Sequence, residues 1–252
     1  MIEAYIIYLP DSKKSSASAA RVEDSLNDTI TYVDVNLHPG VDRYTVWQKY
    51  IDSGLRAKDI AKFGGGHIDA ELAVFYSHYS LWEKCVELDR NILILEHDAL
   101  FNSEAKEITW RNTINSNVLS SFDGHILNLG APNWSFKPWS PLGWLRHWDG
   151  KGIKKRAVCD KYHIPDVPDG ETPCYCDTNL LYGAHAYLIT PDGAKRLLAS
   201  ARGGILPADI FIRQSVVTIH DYLPHPAKQV NEFTLIQRYA TTKGQKINAW
   251  DY

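Results

Sequence analysis

The chain predicts an α/β fold: a mainly parallel sheet with helices on both faces, in a single domain over residues 1–252. Three observations predict it. Short apolar runs alternate with amphipathic helical stretches along most of the chain, the pattern of successive βαβ units. The run at residues 91–95, Asn-Ile-Leu-Ile-Leu, is apolar at consecutive positions, as a strand buried on both faces requires. That run ends abruptly in Glu96, His97 and Asp98, which puts acids where open α/β sheets bind ligands.

The elements follow in order. Residues 4–9 turn apolar as a buried first strand would, and Pro10, Asp11 and Ser12 make a turn. Residues 16–26 are Ala-rich and suit a helix; residues 30–35 are β-branched and read as a second strand. Residues 43–51 form a helix that Gly54 ends. Gly64, Gly65 and Gly66 are a flexible connection and, with no Gly-Lys-Ser/Thr after them, no P-loop. Next comes the strongest helix. Ile68, Leu72, Phe75, Tyr79, Trp82 and Val86 alternate by fours and threes, which is one face. Glu71, His78 and Cys85 recur every seven residues on a second stripe. A helical stretch near residues 104–119 precedes a strand at 125–129. A strand at 185–189, a helix at 191–201 opened by Pro191 and closed near Gly203, and a strand at 216–219 complete the pattern. Residues 241–252 are polar and read as loosely held.

Composition bounds the function. A chain of 252 residues buries a full core. Its 27 basic and 30 acidic residues give a net charge of -3 and a pI near 6.4, so it is not a basic nucleic-acid binder overall. No apolar stretch reaches the roughly 18 residues that span a bilayer. Glu3 and the short apolar run at the amino terminus make a poor signal peptide, so the expected compartment is cytoplasmic. Cys85 falls in the helical pattern as a small buried hydrophobe. Cys159, His163, Cys174 and Cys176 are spaced to close around a structural zinc ion, with free thiols as the alternative.

Two features carry chemistry. Glu96 and Asp98, at i and i+2, point the same way if the extended conformation persists through them. Such a pair seats Mg²⁺ or Mn²⁺ holding the phosphates of a substrate; the alternative is a strand ending in solvated acids. The second feature is a loop-rich insertion at about residues 132–178, where periodicity fails. Trp134, Trp139, Trp144 and Trp148 lie in it with Arg146, Lys151, Lys154, Lys155 and Arg156. Aromatic faces bind sugar rings or stack on bases while the cations hold phosphates. A charged oligosaccharide fits, and so does duplex DNA, whose modified base would have to be extruded.

Four blocks, in order over roughly residues 70–212, resemble glycosyltransferase family 25, which contains bacterial lipooligosaccharide glycosyltransferases and collagen galactosyltransferases. AELAVFYSHYSLWEKC resembles its Glu…Ser-His…Leu-Trp block, NILILEHDALF its strand followed by Glu-Asp-Asp, GAHAYLITPDGAKRLL its Tyr…Gly-Ala block, and LPADIF its Leu-Pro-x-Asp block. Ala70 and Ala73 stand where the family has glycines, Val74 where it has cysteine, and His97 where it has the middle acid. The resemblance implies a GT-A (Rossmann-like) fold and a transferase moving a sugar from a nucleotide donor, such as a UDP-sugar, to a hydroxyl acceptor, foremost a surface oligosaccharide, with inversion. It also implies Mn²⁺ or Mg²⁺, with Glu96 and Asp98 to hold it; His97, a departure from the family, is by its own chemistry a further candidate ligand that would favour Mn²⁺. His220 and His225, both expected after the last strand, are candidate ligands from the carboxyl end. Asp209 is the candidate base; a helix-capping or salt-bridge acid is its alternative. Glu71, Ser77 and His78 occupy block positions, and His78 either contacts the donor pyrophosphate or steadies the acidic loop, unless it is an ordinary half-buried helix histidine. Tyr8, Leu9 and Pro10, at the end of the first strand, are placed to meet the donor base and ribose, Tyr8 by stacking or else as a core tyrosine. Three other readings remain: a phage-type DNA glycosyltransferase acting on a hydroxymethylated base, a nucleotide-sugar binding module without catalysis, and a nucleotidyltransferase releasing pyrophosphate.

Overall fold

A computed structural model describes residues 1–57, 68–101, 114–131, 152–156, 171–172, 180–181, 184–223 and 225–230. In chain order the elements are β1 (Ile2–Tyr8), α1 (Lys13–Asn27), β2 (Ile30–Thr31), β3 (Val33–Pro39), α2 (Val46–Ser53), α3 (Ile68–Leu88), β4 (Ile92–Glu96), β5 (Ala99–Phe101), β6 (Ile114–Asn115), α4 (Ser116–Ser120), β7 (Ile126–Asn128), β8 (Gly130–Ala131), β9 (Gly152–Arg156), β10 (Glu171–Thr172), β11 (Ala186–Ile189), α5 (Pro191–Ala201), α6 (Ala208–Phe211), β12 (Ile219–Leu223) and β13 (Ala227–Gln229).

Eight strands form one sheet in the order β10-β9-β12-β7-β11-β4-β1-β3. Four of its pairings are parallel and three antiparallel, so the sheet is mixed with a parallel majority. The antiparallel pairings belong to β11, inserted between β4 and β7, and to β9 beside β12. Alternate strand residues feed two separate cores. Ile92, Ile94, Tyr187, Ile189 and Ile219 face α3, α5 and α6. Leu93, Leu95, Leu127, Ala186 and Leu188 face the buried stripe of α1, Ala19, Val22 and Leu26, and Leu119 of α4. Helices therefore cover both faces, which is why the central strands read as continuous apolar runs.

Local chemistry sets the element ends. The Ser12 hydroxyl accepts from the Ser15 N–H and opens α1. Gly54, at φ 65°, closes α2 in the left-handed conformation that glycine adopts without strain. Thr190 caps α5 through the Gly193 N–H, with Pro191 following it.

Three expectations need correction. The strand expected at 30–35 is broken at Tyr32, which has φ 55°; β2 pairs with β6 while β3 joins the main sheet. Only residues 114–120 of the helical stretch expected near 104–119 are described, and Ile114–Asn115 is strand. The last apolar strand is displaced. The Val216 and Val217 N–H groups turn back to the Arg213 carbonyl, and extended structure begins at Ile219. The Gly64–Gly66 connection, the cysteine cluster at Cys159, His163, Cys174 and Cys176, the four tryptophans of the insertion and residues 241–252 lie outside the described residues. No helix among the described residues is long and apolar enough to cross a membrane.

Candidate active site at the carboxyl edge of β4

Helix α3 runs back along β4. The Cys85 thiol lies against the Ile189 carbonyl, beside the start of β4, and His78, two turns earlier, reaches Glu96 at its end. Glu71 lies a further two turns on, about 10 Å past His78 by the rise of an α-helix, at the same edge of the sheet. It is half-buried in the first turn of α3.

β4 stays extended through Glu96, whose N–H donates to the His185 carbonyl. His97 and Asp98 then form a turn, and the chain reverses into β5. The acids are thus not on one extended face as the spacing suggested, yet the turn keeps them together. Asp98 is 4% exposed and His97 7%, while a quarter of the Glu96 side chain meets solvent.

The two acids have opposite environments. Burial alone would raise the Glu96 carboxyl, but a hydrogen bond from His78 foremost, with the nearby imidazoles of His78, His185 and His97, outweighs burial and holds it below the usual range. The Asp98 carboxyl is pushed up to about 8, chiefly by burial and then by the Glu96 charge. Gln229 of β13 donates to Asp98 Oδ2 at 3.1 Å, and Oδ1 is buried with no hydrogen-bond partner among the described residues. A buried carboxyl with an unpaired oxygen is costly to ionise. A hard divalent cation offsets that cost, so the pair fits Mg²⁺ or Mn²⁺.

Asp209 joins the same field. It lies in the first turn of α6, where Pro207 and not Asp209 holds the cap position. Phe211 anchors this short helix, with its ring 5.2 Å from Phe75 and stacked 5.7 Å from Trp82 on α3. Asp209 is half-buried, and its carboxyl is raised by burial first and by the Glu96 charge second.

The other expected residues divide. Tyr8 and Leu9 are half-buried and Pro10 exposed at the carboxyl end of β1, with Tyr8 packed against the α1-side core. Ser77 is corrected from a binding residue to a structural one. It is 2% exposed, its hydroxyl donates to the Ala73 carbonyl at 2.7 Å, and it accepts from the Val41 N–H at 2.8 Å, tying α3 to the loop after β3. His220 is corrected too. It lies within β12, beside Leu127 of β7, with its ring 5.2 Å edge-on to Phe122. That is the α1-side face, the one opposite Glu96. His225 follows β12 at the carboxyl edge, where Asn128 ends β7. Its Nε2 is 3.3 Å from Asp221 Oδ1 and 3.2 Å from Asn128 Nδ2, and Asn128 donates to Asp221 at 3.0 Å. Among the described residues no three histidine, cysteine or acidic side chains converge as a metal site. The acidic pair would therefore hold a cation with water and substrate oxygens completing its shell, the usual arrangement for Mg²⁺ on phosphates.

Sequence reasoning missed Tyr187, Gln229, Asn128 and Asp221. Tyr187 and Asn128 sit in apolar strands and read as core positions, and Asp221 lies in a strand whose polar residues hid it from an apolar-run search.

Residues 67–142 match the family model described as glycosyltransferase family 25 (LPS biosynthesis protein). Over that stretch the chain is similar to glycosyltransferase family 25. The match covers α3, β4 and the acidic turn, the elements that build the site. No curated protein matches the chain. Among solved structures, the apo form of mouse xyloside xylosyltransferase 1 aligns at 12% identity over 83% of this chain and 79% of that one, with a TM-score of 0.37. A likeness so distant carries no argument about this chain.

Proposed function

We propose that this chain is a glycosyltransferase that moves a sugar from a nucleoside diphosphate donor, such as a UDP-sugar, to a hydroxyl of a surface oligosaccharide, and that it depends on a divalent cation. The carrying observation is the carboxylate cluster at the edge of β4: an ionised Glu96 held by His78 beside a buried Asp98 with an unpaired oxygen. The family match, whose description refers to LPS biosynthesis, supports the glycan acceptor.

Glu96 and Asp98 are the residues that would hold Mn²⁺ or Mg²⁺, which when bound would offset the charge of the departing diphosphate. His78 fixes the Glu96 carboxylate; as a buried residue it acts through Glu96 and not on the donor directly. Tyr8, Leu9 and Pro10 form the rim where the donor base would lie. Asp209 takes the acceptor proton as that hydroxyl attacks with inversion. Its raised affinity for protons makes it a stronger base than an ordinary carboxylate. His225, oriented by Asp221 at the same edge, remains the candidate ligand from the carboxyl end.

Calorimetry tests this reading. The wild-type chain should bind a nucleoside diphosphate sugar with Mn²⁺ and lose that binding with a chelator. Asp98→Ala should remove the metal-dependent part. Donor binding that ignores both Mn²⁺ and the Asp98→Ala change would show the site to be misplaced.

A further inference from the structure

Behind Glu96 runs a chain of buried polar groups that sugar-transfer chemistry does not itself require. Trp82 Nε1 lies 2.9 Å from the Tyr187 hydroxyl, that hydroxyl lies 2.9 Å from His78 Nδ1, and His78 Nε2 lies 3.3 Å from Glu96 Oε1. Trp82, Tyr187 and His78 are each fully buried. The His78 and Tyr187 rings stack at 5.7 Å and 20°. Such groups in a core are costly unless every donor meets an acceptor.

Donor and acceptor chemistry gives this chain one direction. An indole N–H only donates, so the Tyr187 oxygen accepts from Trp82. The one hydrogen of Tyr187 then needs an acceptor, and among the described residues His78 Nδ1 is its only other partner. Nδ1 must therefore carry no proton. At the other end, an ionised carboxylate only accepts, so the proton of a neutral His78 belongs on Nε2 and is donated to Glu96. Both ends demand the same tautomer.

We propose that Trp82 and Tyr187 are positioning residues that lock His78 in its Nε2–H tautomer, so that Glu96 is presented with Oε1 engaged and Oε2 left for the substrate's cation. The lock rests on the reading above only in its last link, the cation. Its logic resembles that of groups behind a metal ligand, whose loss weakens metal binding about 10- to 100-fold. It also explains why an indole and a phenol stand where Phe would fill the same space.

Two measurements separate the lock from the metal. In the metal-free chain, long-range ¹H–¹⁵N correlation spectra of histidine should show His78 with Nδ1 unprotonated and Nε2 protonated. The Nδ1–H tautomer or a doubly protonated ring in the wild type would overturn the lock, whatever the metal does. Trp82→Phe should free the Tyr187 oxygen to accept from Nδ1–H, so a second tautomer should appear, and calorimetric Mn²⁺ affinity should fall about tenfold. Tyr187→Phe, which deletes one hydroxyl and keeps the ring, should lower Mn²⁺ affinity similarly. An unchanged tautomer and unchanged Mn²⁺ affinity in variants whose circular dichroism shows a native fold would refute the proposal. A shifted tautomer with no Mn²⁺ binding even in the wild type would keep the lock and reject the cation.

Discussion

At the scale of single residues, the decisive contrast is between Glu96 and Asp98, two carboxylates two positions apart with opposite proton affinities. Glu96 is stabilised as an anion by His78, and Asp98 keeps its proton up to about pH 8 because it is buried beside that anion. The consequence for stability has a definite sign. Between the ordinary value of 3.8 and about 8, the folded chain holds a proton on Asp98 that the unfolded chain has lost. Stability therefore falls as pH rises through this range and levels off above it. The metal-free chain should show a falling thermal midpoint from pH 7 to pH 9, roughly 2–4 °C for each kcal/mol lost. Asp98→Asn should remove most of that fall; Asp209, raised in the same direction, accounts for a remainder. His38, lowered to about 4 by burial first and then by Lys49 and Lys84, costs the folded chain stability only as pH falls below its ordinary value of 6.5, so it does not enter the interval from pH 7 to pH 9. A midpoint equally pH-dependent in Asp98→Asn would contradict the environment described.

At the scale of elements, the site depends on what α3 carries on its two stripes. The apolar stripe was plain from spacing alone, and α3 spans the residues that spacing indicated. The stripe of Glu71, His78 and Cys85 was also legible, and it points His78 at Glu96. Short α6 was harder to foresee as a device. Its position comes from Phe211 packed on Phe75 and Trp82, a contact between segments far apart in sequence. Phe211→Ala should cost about 3–5 kcal/mol in denaturant unfolding and lower transfer by displacing Asp209. Asp209→Asn should leave stability near native and donor binding intact, yet slow transfer by about 10²–10⁴-fold. Near-normal transfer by Asp209→Asn would remove it as the base. β12 shows why other parts escaped the sequence. Its burial alternates, and the inward polar residue is Asp221, made tolerable by Asn128 of β7 and by His225 four residues on. An apolar-run pattern passes over such a strand, because the Asn128 partner that helps make the buried acid acceptable is tertiary. His220 and His225 were equal by sequence; β12 sends the first to the far face and leaves the second at the edge.

At the scale of the whole molecule, two cores on the two faces of one mixed sheet leave the carboxyl ends of β1, β4 and β7 at a common edge, with the amino end of α3 at that same edge. β11, antiparallel between β4 and β7, carries Tyr187 to hydrogen-bond reach of His78. The net charge of -3 does not choose between a glycan and a modified DNA base as acceptor, because one basic segment suffices for either. Product analysis by mass spectrometry decides this together with the main claim: the chain is incubated with a panel of nucleotide sugars and with oligosaccharide and modified-DNA acceptors, with Mn²⁺ or a chelator. The proposed chemistry predicts a nucleoside diphosphate and a glycosylated oligosaccharide, both lost with chelator and in Asp98→Asn. Turnover that survives the chelator and the substitution, or pyrophosphate released from a nucleoside triphosphate, would contradict it.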